Sequence, residues 1–240
     1  IEQNPREIVF SLSPGGKIRM EDLEFYRRGN MLRITHDIWD RTSDLDNCFA
    51  AWEKFAGTER PGFWPDLDMI CLGRLQVWRP RSEETGASEE DALVGAGHDR
   101  MDRLTRDEKQ TFITIRALAA SPLFMGGDLP STDDEVYSLI TNNEMIACDQ
   151  NGVMGKKVYS ADGLEAWRVE EKNKANSGWV GLFNRNGTSK SVRVRVQELG
   201  IPESERIALR DIWNAKMIQP SAGELESTIG ANGVLFLRYR

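Results

Sequence analysis

The sequence predicts an α/β part followed by a separate antiparallel β part, and two observations carry this prediction. Strand-like and helix-like segments alternate over about the first 150 residues, which favours a parallel sheet covered by helices. Beyond about residue 157 the apolar pattern changes to a period of two, which is typical of antiparallel strands. We therefore expect two domains, residues 1–156 and residues 157–240.

Four short apolar runs are the predicted strands of the first domain. They lie at 7–13, 31–35, 68–73 and 121–125, and glycines follow the first and the last of them. Four strands separated by helical segments amount to four strand–helix units. Because consecutive units of this kind pair in parallel, we expect parallel pairing among these runs.

Helical patterns lie between the predicted strands. Apolar residues at helical spacing predict a helix over 44–57, and another over 104–120 begins with Thr105 and Glu108, the pattern of a capping box. Thr132 and Glu135 repeat the capping pattern before a third helix. The polar segment 74–103 interrupts the series, and we interpret it as a long exposed loop near a substrate-binding mouth.

The second domain shows alternating apolar and polar residues. Val192, Val194 and Val196 alternate with serine and arginine, and Asn186-Gly187 is typical of a tight turn. We therefore predict a hairpin joining "WVGLFN" to "SVRVRVQ", further strands in "IALRDIW" and "GVLFLRYR", and a β-sandwich overall.

Composition narrows the possible functions. The 240 residues carry a net charge of −7, which argues against nucleic acid or an anionic membrane as the main partner. The three cysteines are widely spaced and form neither a metal-binding pattern nor a disulfide framework. No nucleophile elbow, phosphate-binding loop or dinucleotide fingerprint follows a predicted strand. We expect no cofactor and no metal.

Polar residues cluster at the ends of the predicted strands. Asp37 follows an apolar strand directly, and groups at the carboxyl ends of parallel barrel strands converge on one site. Asp66 precedes its predicted strand, which favours a structural role, and Asp40 is interpreted as a helix cap or a partner of Arg41. His36 would point away from Asp37 in an extended chain. Carboxylates near Trp39 and other aromatic residues are typical of sugar chemistry.

Four motifs resemble a known family in order and spacing. The segments "LRITHDIWD", "GFWPDLDMICLG", "LTRDEKQTFITIRALAASPLFMGGDL" and "LITNNEMIACDQNGVMGKK" are similar to the C-terminal half of glycoside hydrolase family 27 in clan D, which contains α-galactosidases and α-N-acetylgalactosaminidases. The resemblance implies the C-terminal half of a (β/α)8 barrel, about strands five to eight, followed by an antiparallel β-sandwich.

The resemblance also implies roles for individual residues. Asp37 matches the general acid/base, and Arg33 matches the arginine that contacts the sugar near its 2-position. Asp68 and Met69 match a pair that lines the pocket. Ser13 matches the position that reads the 2-substituent, where a serine leaves room for an acetamide. The departures from the family pattern are Leu32, Pro65, Leu67, Gly15 and Gly16.

A retaining glycosidase needs a second carboxylate as nucleophile. The family's nucleophile follows a lysine on strand four, and no matching K-x-D occurs at a strand end here. We therefore expect a glycosidase portion that carries the general acid/base but not the nucleophile and is inactive alone. Its expected partners are a carbohydrate substrate and either an N-terminal half or a second copy of the chain. The alternative is a catalytically inert carbohydrate-binding or structural fragment.

Overall fold

The computed structural model describes residues 5–15, 17–77, 99–202 and 207–240. In its first part, short strands alternate with helices, as the sequence predicts. The strands are β1 (Ser11–Leu12), β2 (Met31–Arg33), β3 (Trp64–Asp66), β4 (Arg74–Leu75) and β5 (Arg100–Met101). The helices are α1 (Leu23–Tyr26), α2 (Thr42–Phe55), α3 (Arg106–Leu118), α4 (Asp134–Ile140) and α5 (Asn143–Gln150). Among the helices of these ranges, none has the length and apolar character needed to cross a membrane.

The parallel sheet of the first part has the order β1-β2-β3. Ser11 pairs with Met31, and Arg33 pairs with Asp66. A single parallel bridge between Ile70 and Met125 joins the third predicted strand region to the fourth. The predicted partial barrel is therefore confirmed.

Two of the predicted strand positions are wrong. The run 121–125 forms no strand and contributes only the single bridge through Met125. The third strand was predicted at 68–73 and lies at Trp64–Asp66 instead. The chain leaves the sheet through Asp68, whose φ is +71°. The apolar residues that follow, such as Cys71 and Leu72, are buried in the core. Within 68–73 only Ile70 pairs, through its bridge to Met125, so this apolar run marks burial more than a strand.

The helices lie close to their predicted positions, with one capping correction. The capping box at α3 is confirmed, since the Thr105 side chain accepts from the Glu108 amide and the Glu108 carboxylate accepts from the Thr105 amide. The cap predicted at Thr132 is wrong. Asp133 caps α4 by accepting from the Val136 amide at 2.8 Å, and the Thr132 hydroxyl donates to a backbone carbonyl instead.

The predicted loop over 74–103 is not entirely a loop. Its two ends pair as the antiparallel strands β4 and β5, with Arg74 opposite Met101 and Leu75 opposite Arg100. Residues 78–98, its centre, lie outside the described residues.

The second part is an antiparallel sandwich, as predicted. Its strands are β6 (Lys156–Ala161), β7 (Leu164–Glu170), β8 (Gly178–Asn184), β9 (Lys190–Arg195), β10 (Leu209–Asp211), β11 (Lys216–Ile218), β12 (Glu224–Ile229) and β13 (Val234–Tyr239). One sheet has the order β11-β10-β13-β8-β7-β6, and β12 pairs with β9 in the other. Val192 and Val194 are buried between the sheets while Arg193 and Arg195 are exposed, which confirms the period of two.

The predicted hairpin between β8 and β9 is wrong. All seven residues of β8 are buried, and β8 pairs with β7 on one side and β13 on the other. Both edges of β8 are therefore occupied, and the chain crosses to the other sheet before β9 begins. The Asn184 side chain holds this crossing by donating to the carbonyls of Thr188, Ile229 and Gly230.

One apolar core joins the helices of the first part to the larger sheet of the sandwich. Trp52 of α2 stacks on Trp167 of β7 with ring centroids 4.0 Å apart, and Phe49 meets Phe183 edge to face at 4.9 Å. The predicted domain division at 156/157 falls at the start of β6, and it stays a prediction. The shared core means that the two parts support each other's packing.

Candidate active site

The polar residues singled out in the sequence lie at one edge of the parallel sheet. Arg33 is the last residue of β2, and Ser13 follows β1 by one residue. Asp68 lies two residues beyond β3, and Asp37 lies four residues beyond β2. Because the three strands are parallel, all of these residues follow carboxyl ends at the same edge.

Asp37 lies in a surface cavity of about 320 Å³. Its side chain is 72% exposed, and its Oδ1 atom lies 3.0 Å from Nη1 of Arg33. The chain is not extended here, as the prediction for His36 required, because it bends at residues 35 and 36, and His36 lines the same cavity as Asp37. The lining residues are Gly15, Arg33, His36, Asp37, Trp39 and Arg41.

Asp68 holds the segment that carries Asp37. Its Oδ2 atom accepts from the Ile38 amide at 3.0 Å and from Nη1 of Arg33 at 3.4 Å. Its Oδ1 atom accepts from the Met69 amide at 2.8 Å. Both oxygens are therefore engaged, and Arg33 contacts the carboxylates of Asp37 and Asp68 with the same nitrogen.

Arg116 is a positioning residue that the sequence reasoning missed. It is fully buried in α3, and its guanidinium donates to the carbonyls of Leu67 (3.0 Å), Asp68 (3.3 Å) and Met69 (3.0 Å). The guanidinium also lies 3.7 Å from the ring centroid of Phe112. The available signal was a single arginine within the apolar segment "FITIRALAA", where a charge must find buried partners.

Asp66 also holds the segment 67–69, whose carbonyls Arg116 contacts. It is the last residue of β3 rather than a residue before the strand, and it is buried. Its Oδ1 atom accepts from the Asp68 amide at 2.9 Å. Burial raises the pKa of Asp66 above its ordinary value, although the hydrogen bond from the Asp68 amide opposes this.

Asp40 has neither of the partners expected from the sequence. Its side chain is 0% exposed, and it accepts two hydrogen bonds from Arg100, at 2.6 and 2.7 Å, and one from the Arg103 amide at 2.8 Å. Arg41 pairs with Asp44 instead. These partners are about 60 residues away in sequence, beyond the long polar segment, so local spacing could not reveal them. Asp40 does not line the cavity that contains Asp37.

Ser13 and Met69 also lie outside the lining of that cavity. Ser13 is exposed, and Met69 packs over Gly126, where an added Cβ would lie 2.6 Å from the methionine Sδ. Gly15 leaves open space, since apart from its chain neighbours no atom of the described residues lies within 4 Å of its Cβ position. Gly16 lies outside the described residues.

The described cysteines are buried and unlinked. Burial raises the pKa of the Cys48 thiol to about 11, so it is protonated at neutral pH. Across the ranges that the structure describes, no group of three or more His, Cys, Asp and Glu residues could hold a metal ion.

Comparisons with known proteins agree with this architecture. Residues 162–239 match the family described as the alpha galactosidase C-terminal beta sandwich domain. The chain is 30% identical over 212 residues to alpha-galactosidase 2 of Arabidopsis thaliana, covering 87% of this chain and 46% of the relative. It is 28% identical over 234 residues to the alpha-galactosidase of Cyamopsis tetragonoloba, covering 95% of this chain and 48% of the relative.

A solved structure is similar over almost the whole chain. The family 27 β-L-arabinopyranosidase of Geobacillus stearothermophilus is 30% identical with a TM-score of 0.83, covering 99% of this chain and 51% of that one. The chain thus spans about half the length of the relatives that it matches. By sequence and by fold, the chain corresponds to the C-terminal portion of glycoside hydrolase family 27 proteins.

Proposed function

We propose that this chain is the portion of a retaining glycoside hydrolase that supplies the general acid/base, and that Asp37 is that residue. The supporting observation is that Asp37 is an exposed carboxylate inside a cavity at the carboxyl ends of the strands. The oxygens of Asp40 and Asp68 are instead engaged by backbone amides and arginines. Asp37 is thus available to a substrate in a way that these two aspartates are not.

In the proposed reaction, Asp37 acts twice. It donates a proton to the glycosidic oxygen as the bond to the sugar breaks, and it later takes a proton from the water that attacks the glycosyl–enzyme intermediate. Arg33 holds the Asp37 carboxylate and contacts the sugar near its 2-position. The hydrogen bond from the Ile38 amide to Asp68 keeps the Asp37 segment in place. Asp68 and Met69 do not line the cavity that contains Asp37, so the role proposed for Asp68 is to position this segment rather than to contact the sugar.

The nucleophile is proposed to come from outside this chain. A retaining mechanism needs a second carboxylate about 5–5.5 Å from the first. Asp68 shares Arg33 with Asp37, but both of its oxygens already accept hydrogen bonds from backbone amides within the chain. The matched relatives are about twice as long, so an N-terminal half can supply the missing carboxylate.

The open side of β1, the outer strand of the parallel sheet, is the proposed docking surface for that half. β1 is an edge strand, and Ile8, Val9 and Phe10 beside it are 43%, 71% and 40% exposed. Unpaired strand edges and exposed apolar residues favour association. A second copy of the chain is the other candidate for this surface.

The proposed substrates carry terminal α-galactosyl or α-N-acetylgalactosaminyl residues. Ser13 and the open space beside Gly15 favour tolerance of an N-acetyl group. The similarity to a β-L-arabinopyranosidase adds a third sugar, which differs from the galactoside by the missing hydroxymethyl group.

The test compares nitrophenyl derivatives of the three sugars, using the chain alone and the longer protein proposed to contain it. We expect no hydrolysis by the chain alone and hydrolysis by the longer protein, with kcat/KM deciding the sugar. Hydrolysis by the chain alone would show that the nucleophile lies within it. No hydrolysis by either protein would favour the inert carbohydrate-binding or structural fragment.

A further inference from the structure

A second cavity lies at the opposite end of the parallel strands from Asp37. Its volume is about 540 Å³, within the range of small-molecule sites. Asn30 and Trp64 line it at the amino ends of β2 and β3, and Asp149 lines it from the last turn of α5. This cavity shares no lining residue with the one that contains Asp37.

Asp149 lines this cavity, and its carboxylate is only partly exposed. Its Oδ1 atom is buried and has no hydrogen-bond partner among the described residues. Burial raises the pKa of Asp149 to about 7. The carboxyl end of a helix also has a negative potential, which disfavours an anion there. The group therefore lacks the positive partner that an aspartate in such a place requires.

The neighbouring amides do not supply that partner. Asn30 accepts from the Phe10 amide and donates to the Gly62 carbonyl. Asn151 donates to the Glu170 carbonyl and accepts from the Lys172 amide. Both amide side chains are committed to the backbone, so neither of them is a hydrogen-bond partner of the Asp149 carboxylate.

We propose that this cavity binds an organic cation with N–H donors, a primary ammonium or a guanidinium on an apolar body. The cation donates to Asp149, and the apolar body lies against the ring of Trp64. An aromatic ring and a carboxylate both attract a cation, and a charge-assisted hydrogen bond is stronger than a neutral one. This inference concerns the chain by itself and does not depend on the proposed glycosidase activity, although Val9 lines the cavity and also belongs to the proposed docking surface.

Lys172 is the other charged residue among the described lining residues. It is exposed, so its ammonium group is hydrated and screened, and it opposes a bound cation only weakly. Its presence provides a test of sign, because removing its charge should strengthen the binding of a cation.

The experiment is calorimetric titration of the whole chain with agmatine at low salt and pH 8, where Asp149 is ionised. We expect one agmatine per chain, and at least tenfold weaker binding to Asp149→Asn. The variant Lys172→Gln should bind a few-fold more tightly. The variant Asp162→Asn, which removes an exposed carboxylate outside the cavity lining, should bind like the parent.

Nuclear magnetic resonance locates the ligand and decides its class. Agmatine should shift the indole N–H signal of Trp64, which is assigned by its loss in Trp64→Phe. Choline has the charge but no N–H donor and should bind at least tenfold more weakly, and galactose should not bind. The proposal is overturned if agmatine leaves the Trp64 signal unmoved, or if Asp149→Asn binds it equally well. Galactose binding that shifts this signal would assign the cavity to neutral sugars instead.

Discussion

Asp149→Asn should stabilise the chain at alkaline pH, although it removes a charged residue. The carboxylate is largely buried and has an unpartnered oxygen, and its pKa is raised from 3.8 to about 7. Asparagine has a similar shape and no charge. The replacement therefore removes the cost of holding an ionised group in a poorly solvated place.

The sign follows from proton linkage. Between pH 3.8 and about 7 the folded chain holds a proton on Asp149 that the unfolded chain has released. Stability is therefore lost progressively as the pH rises through this window. A shift of about three pKa units at about 1.4 kcal/mol each gives an upper bound of about 4 kcal/mol, reached above pH 7.

The measured quantity is the difference in free energy of unfolding between variant and parent, from urea denaturation. This difference should rise in favour of Asp149→Asn by about 2–3 kcal/mol between pH 5 and pH 8. The control is Asp162→Asn. Asp162 is exposed and has a φ of +52°, which asparagine also tolerates. The difference in free energy of unfolding between this variant and the parent should not change with pH. A flat difference for Asp149→Asn as well would refute the reasoning, because the carboxylate would then be solvated or paired in the folded chain.

Three further predictions concern the site. Arg116→Leu should cost about 3–5 kcal/mol in urea unfolding because it removes a buried guanidinium that donates to the carbonyls of the segment 67–69. Arg106→Leu, at a position whose side chain is 72% exposed, should change stability by less than about 0.5 kcal/mol. Equal effects would contradict the role given to Arg116. Asp40→Asn should cost about 2–4 kcal/mol by the same assay, since it weakens a buried ion pair with Arg100, and an unchanged stability would show that this pair is dispensable. Asp37→Asn should change stability by less than about 1 kcal/mol. In the longer protein it should suppress hydrolysis of substrates with poor leaving groups by orders of magnitude, with partial rescue by azide. Loss of activity in Asp40→Asn but not in Asp37→Asn would mean that the wrong carboxylate has been chosen.

Local patterns were enough to predict several elements of the fold. The capping box at Thr105 and Glu108 and the alternation around Val194 both depend on residues a few positions apart. Helix caps and strand periodicity are local properties, so a single sequence displays them directly. The motifs around Asp37 and Asp68 likewise identified the family before any geometry was known.

Several of the errors arose where distant residues decided the outcome. The β8–β9 hairpin was excluded because β13, about 50 residues later, occupies the second edge of β8. Arg100 binds Asp40 from 60 residues away, and Arg116 binds the carbonyls of the segment 67–69 from about 50 residues away. No local spacing encodes these contacts.

The sequence by itself determined the family, the order of the elements and the carboxylates available for chemistry. Only the tertiary structure separated these carboxylates by environment. It buried Asp40 against an arginine, engaged both oxygens of Asp68, and left Asp37 exposed in a cavity with His36. It also left Asp149 with an unpartnered oxygen at the other end of the strands. The physical reason is that the chemistry of an aspartate depends on its solvation and its hydrogen-bond donors, and packing between distant segments sets both.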